Sequence, residues 1–319
     1  MKNKILIIGG DPNSINSEIL YKCWKDLSSS QRNRIYLISN YLLLQKQFKI
    51  LKYPIKLIKV DNLHEKITTN KLKILDVKLQ FKNPFKISNK SRVIFIKNSL
   101  NLAHQLASKK IVKGIINCPI DKRLLPKRQG VTEFLASKCN IKDNSEVMLI
   151  KNKNLSISPI TTHSNIRDIV KKLNSSVIIK KIITIDKWFK NIYKQKPKIA
   201  ILGLNPHNAE LNKTSEERKI IIPAIKKLKS KGLKVTGPLV ADTIFINDYK
   251  KFDVIVGMYH DQVLAPFKSI FKFDAVNITL GINYIRLSPD HGVARNIIRK
   301  NKANHFSLLR CIEFLNKSK

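Results

Sequence analysis

Short apolar runs that stop at glycine, asparagine or a charged side chain recur along this chain, and segments of helical spacing separate most of them. That alternation limits the fold more than any other feature. Residues 4–8 form a buried-strand pattern ending at Gly9-Gly10-Asp11-Pro12, and 34–39 and 55–60 flank a helical pattern over 41–49. Residues 112–117 follow a long helical pattern over 91–109, in which Val93, Ile96, Leu100, Ala103 and Ala107 share one face. The pattern predicts a mixed-sheet α/β protein with helices on both sides of the sheet, a three-layer α/β/α arrangement.

Finer expectations follow from local signals. Ser17 is placed to cap a helix running through Trp24, and 71–81 alternates like a hairpin arm. A short helix is predicted over 132–137, and strands over 146–150 and 155–160 as an antiparallel pair. Helices are predicted from Ile166 and over 177–193, a strand over 198–202, and a helix over 214–229 with Ser215 and Glu216 near its start. A brief strand over 233–235 precedes Gly237-Pro238, a short helix covers 241–245, and 254–258 and 276–280 read as strands. Two helices, 293–300 and 306–315, close the chain.

At 319 residues the chain has room for two lobes. Its 61 Lys and Arg against 22 Asp and Glu give a formal charge of +39, which raises the question of a polyanionic partner. The basic residues are scattered among Ile and Asn rather than gathered with aromatics, so the reading is a composition bias and no nucleic-acid motif. A positive field still attracts a phosphorylated substrate. Cys23, Cys118, Cys139 and Cys311 form no CxxC pair and read as free thiols of a reducing compartment. The apolar run at 5–8 is too short for a signal or a membrane span, so the expected setting is cytoplasmic, with no membrane partner.

His163, His207 and His260 each follow a strand-like run and each are expected to begin a loop. Their separations exceed any local metal motif, so only folding could bring them to one divalent ion; imidazole is the commonest ligand for such ions. A metal there would polarise an alcohol and stabilise the anion formed from it. Downstream, Lys268, Asn277 and Arg286 are donors suited to one anion, Arg286 supplying a fork that matches phosphate oxygens. The chain has no GxGxxG, so a Rossmann fingerprint is absent and no cofactor-binding residue is identified.

The segments INCPIDK, GVTEFLA, TTHSNIRD, GLNPHNAE, GPLVADT, MYHDQVLAPFK and VNITLGINYIRLSPDHGVA run in order over nearly the whole chain. In that order they resemble the 4-hydroxythreonine-4-phosphate dehydrogenase family of pyridoxal phosphate biosynthesis. The resemblance implies an isocitrate/isopropylmalate dehydrogenase-like fold of two intertwined lobes with a cleft between them. One lobe would comprise 1–135 plus 275–319. The other, 136–274, would carry the metal histidines and the dimer contacts.

It further implies an NAD- or NADP-dependent homodimer with its active site at the interface and one divalent ion (Zn, Mg or Co) per site, held by His163, His207 and His260. Thr132, Lys268, Asn277 and Arg286 match its substrate-binding positions, and Lys122 and Asp242 match positions near its cleft as proton carriers or orienting groups. The implied reaction oxidises 4-phosphooxy-L-threonine and decarboxylates it to 3-amino-2-oxopropyl phosphate.

Three departures stand out. Val131 occupies the place of a histidine in the family's GHTE, the GDPAGIGPE loop has become 10–18 with two glycines lost, and the glycine of NPHAGE is replaced around Asn208-Ala209. They leave two alternatives: a related dehydrogenase for another phosphorylated hydroxy acid or a cis-diol acid, or a catalytically silent homologue that binds polyanions.

Overall fold

The computed structural model describes residues 3–63, 67–126, 130–141, 144–272 and 274–317. Among them are twelve strands: β1 (Ile5–Ile8), β2 (Ile35–Ser39), β3 (Leu57–Lys59), β4 (Leu72–Asp76), β5 (Gly114–Asn117), β6 (Val147–Lys151), β7 (Ser156–Thr161), β8 (Ile199–Leu202), β9 (Val235–Leu239), β10 (Val254–Tyr259), β11 (Val276–Leu280) and β12 (Ile285–Pro289). The helices are α1 (Asn16–Asp26), α2 (Ser29–Arg32), α3 (Tyr41–Ile50), α4 (Asn89–Ser108), α5 (Val131–Lys138), α6 (Ile169–Lys172), α7 (Ser175–Tyr193), α8 (Ile222–Ser230), α9 (Ala241–Ile244), α10 (His260–Phe271) and α11 (Phe306–Lys317). The chain separates into two compact units, Met1–Leu135 with Asn283–Ser318, and Ala136–Ile282.

In the first unit the strand order is β3-β4-β2-β1-β5-β12, and every pairing is parallel. Parallel strands need cover on both faces, which is why β1 reads as an unbroken apolar run with all four residues buried. On one face Leu6, Ile8, Tyr36, Ile38 and Ile115 pack with Phe95, Ile96, Leu100 and Ala103 of α4. On the other, Ile7 and Leu37 share a small space with Leu20, Cys23 and Trp24 of α1 and Leu308 and Ile312 of α11. Each large apolar side chain so withdrawn from water contributes on the order of 1.5–3 kcal/mol before entropy is counted. Asn40 and Ser88 cap α3 and α4 by accepting the backbone N–H of Leu43 and Ser91.

The second unit has the order β11-β6-β7-β10-β8-β9. β11, β6 and β7 pair antiparallel, and β7, β10, β8 and β9 pair parallel. Met148, Ile150, Ile157, Ala200, Leu202 and Ile255 pack with Val263, Leu264 and Phe267 of α10 on one face. α7 buries Ile178, Ile182, Ile185 and Phe189 and contacts β6, β7, β11 and α8. The mixed α/β architecture expected from the alternation is therefore present.

Several local expectations are corrected. The 71–81 segment is no hairpin arm: β4 lies parallel between β2 and β3, and its buried Leu72, Ile74 and Leu75 need the interior position. Ser17 does not cap α1, which starts at Asn16 without a side-chain cap. Residues 293–300 hold only a 3-10 turn, Arg295–Ile297, because Ala294 and Arg299 adopt left-handed backbone that ends any helix on either side. β9 continues through Gly237-Pro238 instead of stopping before it; the edge position leaves the proline's missing N–H without a partner to lose. The 214–229 helix begins as a π-turn, Glu217–Ile221, before α8.

The loops after β1 and β5 are locked together at the C-terminal end of the first unit's sheet. Asp11 N–H donates to the Pro119 carbonyl at 3.0 Å, and Asn16 Nδ2 donates to the carbonyls of Gly9 and Pro119, both at 2.9 Å. Gly10 has φ +74°, and a Cβ there would lie 2.6 Å from Pro119 O, so no other residue fits without a shift. Beneath them Asp11, fully buried, holds Arg92 of α4 in a two-pronged pair, Nε to Oδ1 at 2.8 Å and Nη2 to Oδ2 at 2.5 Å. Removing one member of a buried pair leaves the other's charge uncompensated. Asp11→Ala is therefore expected to lose about 3–5 kcal/mol of stability in urea unfolding; a loss under about 1 kcal/mol would show the pair to be dispensable.

Candidate functional site

Parallel pairing assembles the histidines. β10 lies between β7 and β8, with Tyr259 opposite Thr161 and Val256 opposite Ile201, so all three strands end on one edge of the sheet. His163 follows β7 by two residues and His260 follows β10 directly. Their rings stand 5.8 Å apart, centre to centre, inclined by 37°. His163 is exposed and His260 half-buried. His260 opens α10 rather than a loop, which corrects the sequence expectation: Gln262 accepts Met258 N–H at 2.7 Å and closes the turn at once.

Asp261 Oδ1 lies 2.7 Å from His260 Nδ1. With the proton on Nδ1 that nitrogen donates to the carboxylate, and Nε2 is left as the ligating atom, the arrangement found behind metal-bound histidines. Two imidazoles on one ion at about 2.0–2.1 Å hold their ring centres roughly 5–6 Å apart, so the His163–His260 pair fits a borderline divalent ion. Among the described residues, no group of three or more His, Cys, Asp or Glu in this single chain is placed to hold a metal.

His207 lies beyond β8, and its backbone is unusual. His207, Asn208, Ala209, Glu210 and Leu211 all have left-handed φ, from 46° to 57°. A side-chain-bearing residue there is disfavoured by roughly 1–2 kcal/mol, and such strain persists only where the surroundings impose it. The surroundings do. Glu217, fully buried, accepts the backbone N–H of Leu204 at 2.7 Å and of Asn205 at 2.8 Å, and Asn205 Nδ2 at 3.0 Å. Burial opposes the charge of Glu217, yet the hydrogen bonds from Asn205 and Leu204 outweigh it and hold the carboxyl below the usual range. Asn208, also buried, donates to the Pro238 carbonyl at 3.1 Å, and Gln262 Nε2 donates to the Gly203 carbonyl at 2.8 Å.

Glu217 and Gln262 are site-building residues that sequence reasoning missed. Gln262 lay in view inside MYHDQ, whereas Glu217, ten residues after His207 in a helical pattern, carries no motif.

In the first unit, Arg286 of β12 is buried, its Nε donating to Asn117 Oδ1 at 2.7 Å and its Nη1 to Thr132 Oγ1 at 3.1 Å. Thr132 and Arg286, both named from sequence, are thus directly bonded. Burial pushes the guanidinium down to about 10, still charged at neutral pH, with Glu133 pulling it the other way. Val131 packs against the apolar cluster that includes Leu124 and Phe134. Lys122 is exposed on the 3-10 turn Lys122–Leu124, beside Asp121, whose hydrogen bond with Arg123 holds its carboxyl down at about 2.

The remaining candidates belong to the second unit. Asp242 is exposed in the first turn of α9, Lys268 is exposed in the last turn of α10, and Asn277 is half-buried on β11. Asn277 Oδ1 is buried without a hydrogen-bond partner among the described residues.

The family model described as "Pyridoxal phosphate biosynthetic protein PdxA" matches residues 30–315. The chain is 35% identical to a 4-hydroxythreonine-4-phosphate dehydrogenase of Sulfurihydrogenibium sp., over 97% of this chain and 96% of that protein. It is 36% identical to the enzyme of the same name from Aquifex aeolicus, over 99% and 98%. The crystal structure of a 4-hydroxythreonine-4-phosphate dehydrogenase from Klebsiella pneumoniae matches with a TM-score of 0.84 at 28% identity, covering 99% of this chain and 97% of that one. No helix among the described residues is long and apolar enough to cross a membrane.

The left-handed run yields a direct test. Glycine at 209 relieves the clash that an alanine Cβ brings to φ 48°. Ala209→Gly is expected to raise stability by about 1 kcal/mol in chemical unfolding, net of the added freedom of the unfolded chain; a loss of stability would show that the backbone there is relaxed.

Proposed function

From the premise that this chain belongs to the PdxA family of pyridoxal phosphate biosynthetic proteins, oxidoreductases acting on a CH–OH group, we propose that it oxidises 4-phosphooxy-L-threonine. The C3 alcohol becomes a ketone: the hydrogen on C3 passes as hydride to NAD or NADP and the hydroxyl proton passes to a base. The β-keto acid then loses CO2 to give 3-amino-2-oxopropyl phosphate. The observation that carries this reading is the near-full-length identity to dehydrogenases of that name, joined to the histidine edge of β7, β10 and β8.

The residues are read as follows. His163, His207 and His260 hold a divalent ion (Zn, Mg or Co), which when bound supplies Lewis acidity toward the hydroxyl oxygen and the later enolate. Asp261 fixes the His260 tautomer. Arg286 grips the phosphate: its charge sits in a dry setting, where attraction to an anion is stronger than in water. Thr132 and Asn117 hold the guanidinium in plane, and Thr132 adds a hydroxyl to the same anion. Lys268 adds a flexible point charge, and Asn277 Oδ1 accepts a proton donor of the substrate. Lys122 and Asp242 carry or orient protons. No residue is assigned to the dinucleotide.

We read the active form as a homodimer, with the partner subunit contributing to the site. Ile166 and Val170, just beyond His163, are 79% and 51% exposed, and a second copy would cover them.

Val131 favours a second reading. An apolar side chain there cannot hydrogen-bond a substrate, which suits another phosphorylated hydroxy acid or a cis-diol acid. Purified chain with a divalent ion, NAD and 4-phosphooxy-L-threonine is expected to produce NADH, and a chelator-stripped control is not. Turnover no higher than the control would sink the first reading, and a clear winner elsewhere in a panel of hydroxy acids would establish the second.

A further inference from the structure

We infer that Glu217 is a positioning residue: its buried carboxylate clamps the loop after β8 and thereby sets where His207 stands relative to His260. The inference rests on His207 being a metal ligand, as proposed above, and goes beyond it by assigning the element that makes the ligand available.

The clamp has three arms on one side chain. Oε1 accepts the consecutive N–H groups of Leu204 and Asn205, and Oε2 accepts the Asn205 side chain, which Glu216 Oε2 also receives at 2.8 Å. Two backbone donors converging on one oxygen fix the chain direction just before Pro206, and His207 is the next residue. The run that starts at His207 is left-handed through Leu211, a conformation these five side chains do not choose alone. Something must impose it, and among the described residues Glu217 is the fully buried carboxylate that receives the backbone at the loop's start.

Gln262 completes the frame. It bridges Met258 N–H and the Gly203 carbonyl, so the end of β8 is tied to the turn that presents His260. A Cβ at Gly203 would stand 2.0 Å from Asn208 Oδ1, so a side chain there would displace Asn208. The two histidines are therefore held through a short path, from Glu217 to residues 203–205 to Gln262, that contains no metal ligand.

The test uses the full chain without substrate. Hydrogen exchange over 203–211 and a Co2+ titration followed by visible absorption are compared in wild type, Glu217→Gln, Asn205→Ala, His207→Ala and the exposed control Lys226→Gln. Glutamine keeps the shape but places an NH2 against donors. Glu217→Gln is expected to speed exchange of 203–211 and weaken Co2+ binding, each at least tenfold, Asn205→Ala severalfold, and the control less than twofold. Rescue of both readouts by Glu217→Asp to within a few fold would assign the effect to the carboxylate.

Unchanged exchange in Glu217→Gln, or faster exchange with wild-type Co2+ affinity, would overturn the inference. If Glu217→Gln does not fold, Asn205→Ala carries the same two criteria. Wild type binding Co2+ no tighter than His207→Ala would instead remove His207 as a ligand. That result overturns the inference together with the reading beneath it, and the wild-type comparison tells the two failures apart.

Discussion

The register of β10 between β7 and β8 is the constraint on which the candidate site depends. Parallel strands end on the same edge, and pairing Tyr259 with Thr161 sets the residues that follow each strand side by side. Val254, Ile255 and Val256 are buried on both faces of β10, so the strand is anchored in the core. Core packing thus fixes the separation of His163 and His260 without either histidine contributing to the core. His207 is different, because four residues, Gly203 to Pro206, separate it from β8 and hydrogen bonds to Glu217 hold that stretch.

That contrast explains what was legible in the sequence. Strands such as Ile5–Ile8 and Val254–Tyr259 announce themselves because burial on both faces demands unbroken apolar runs, and α4 because its buried face repeats with helical spacing. β4 was misread because Lys73 interrupts its apolar run. That lysine is fully buried, donating to the Asn33 carbonyl at 2.7 Å beneath the ring of Tyr36, so a charged letter stands for an interior position. The helix expected over 293–300 failed because left-handed backbone at Ala294 and Arg299 is invisible in residues that ordinarily avoid it.

The site shows the same division. The link from Thr132 to Arg286 and the pairing of His163 with His260 join residues 154 and 97 positions apart, which no local spacing reports; motif order named the residues and strand order brought them together. Glu217 escaped notice because its work is done mainly by accepting backbone N–H groups, which every residue but proline supplies whatever its side chain. The departures from the family pattern also change meaning once placed. Ala209 falls within strained backbone, whereas Val131 packs into an existing apolar cluster. The first is a cost to the loop; the second is absorbed by core packing.

The charge of the chain can then be divided by environment. Most of the +39 sits on solvated lysines, where screening limits each to a weak, long-range pull that speeds the arrival of any anion without selecting one. Arg286 works under the opposite conditions. Its withdrawal from water costs enough to lower its proton affinity toward about 10, and hydrogen bonds to Asn117 and Thr132 offset that cost while fixing the plane of the fork. An exposed lysine loses little when its partner anion is the wrong shape, because water replaces it. A buried guanidinium has no such substitute: Asn117 and Thr132 fix the plane of its fork, so an anion reaching Arg286 would have to match that geometry.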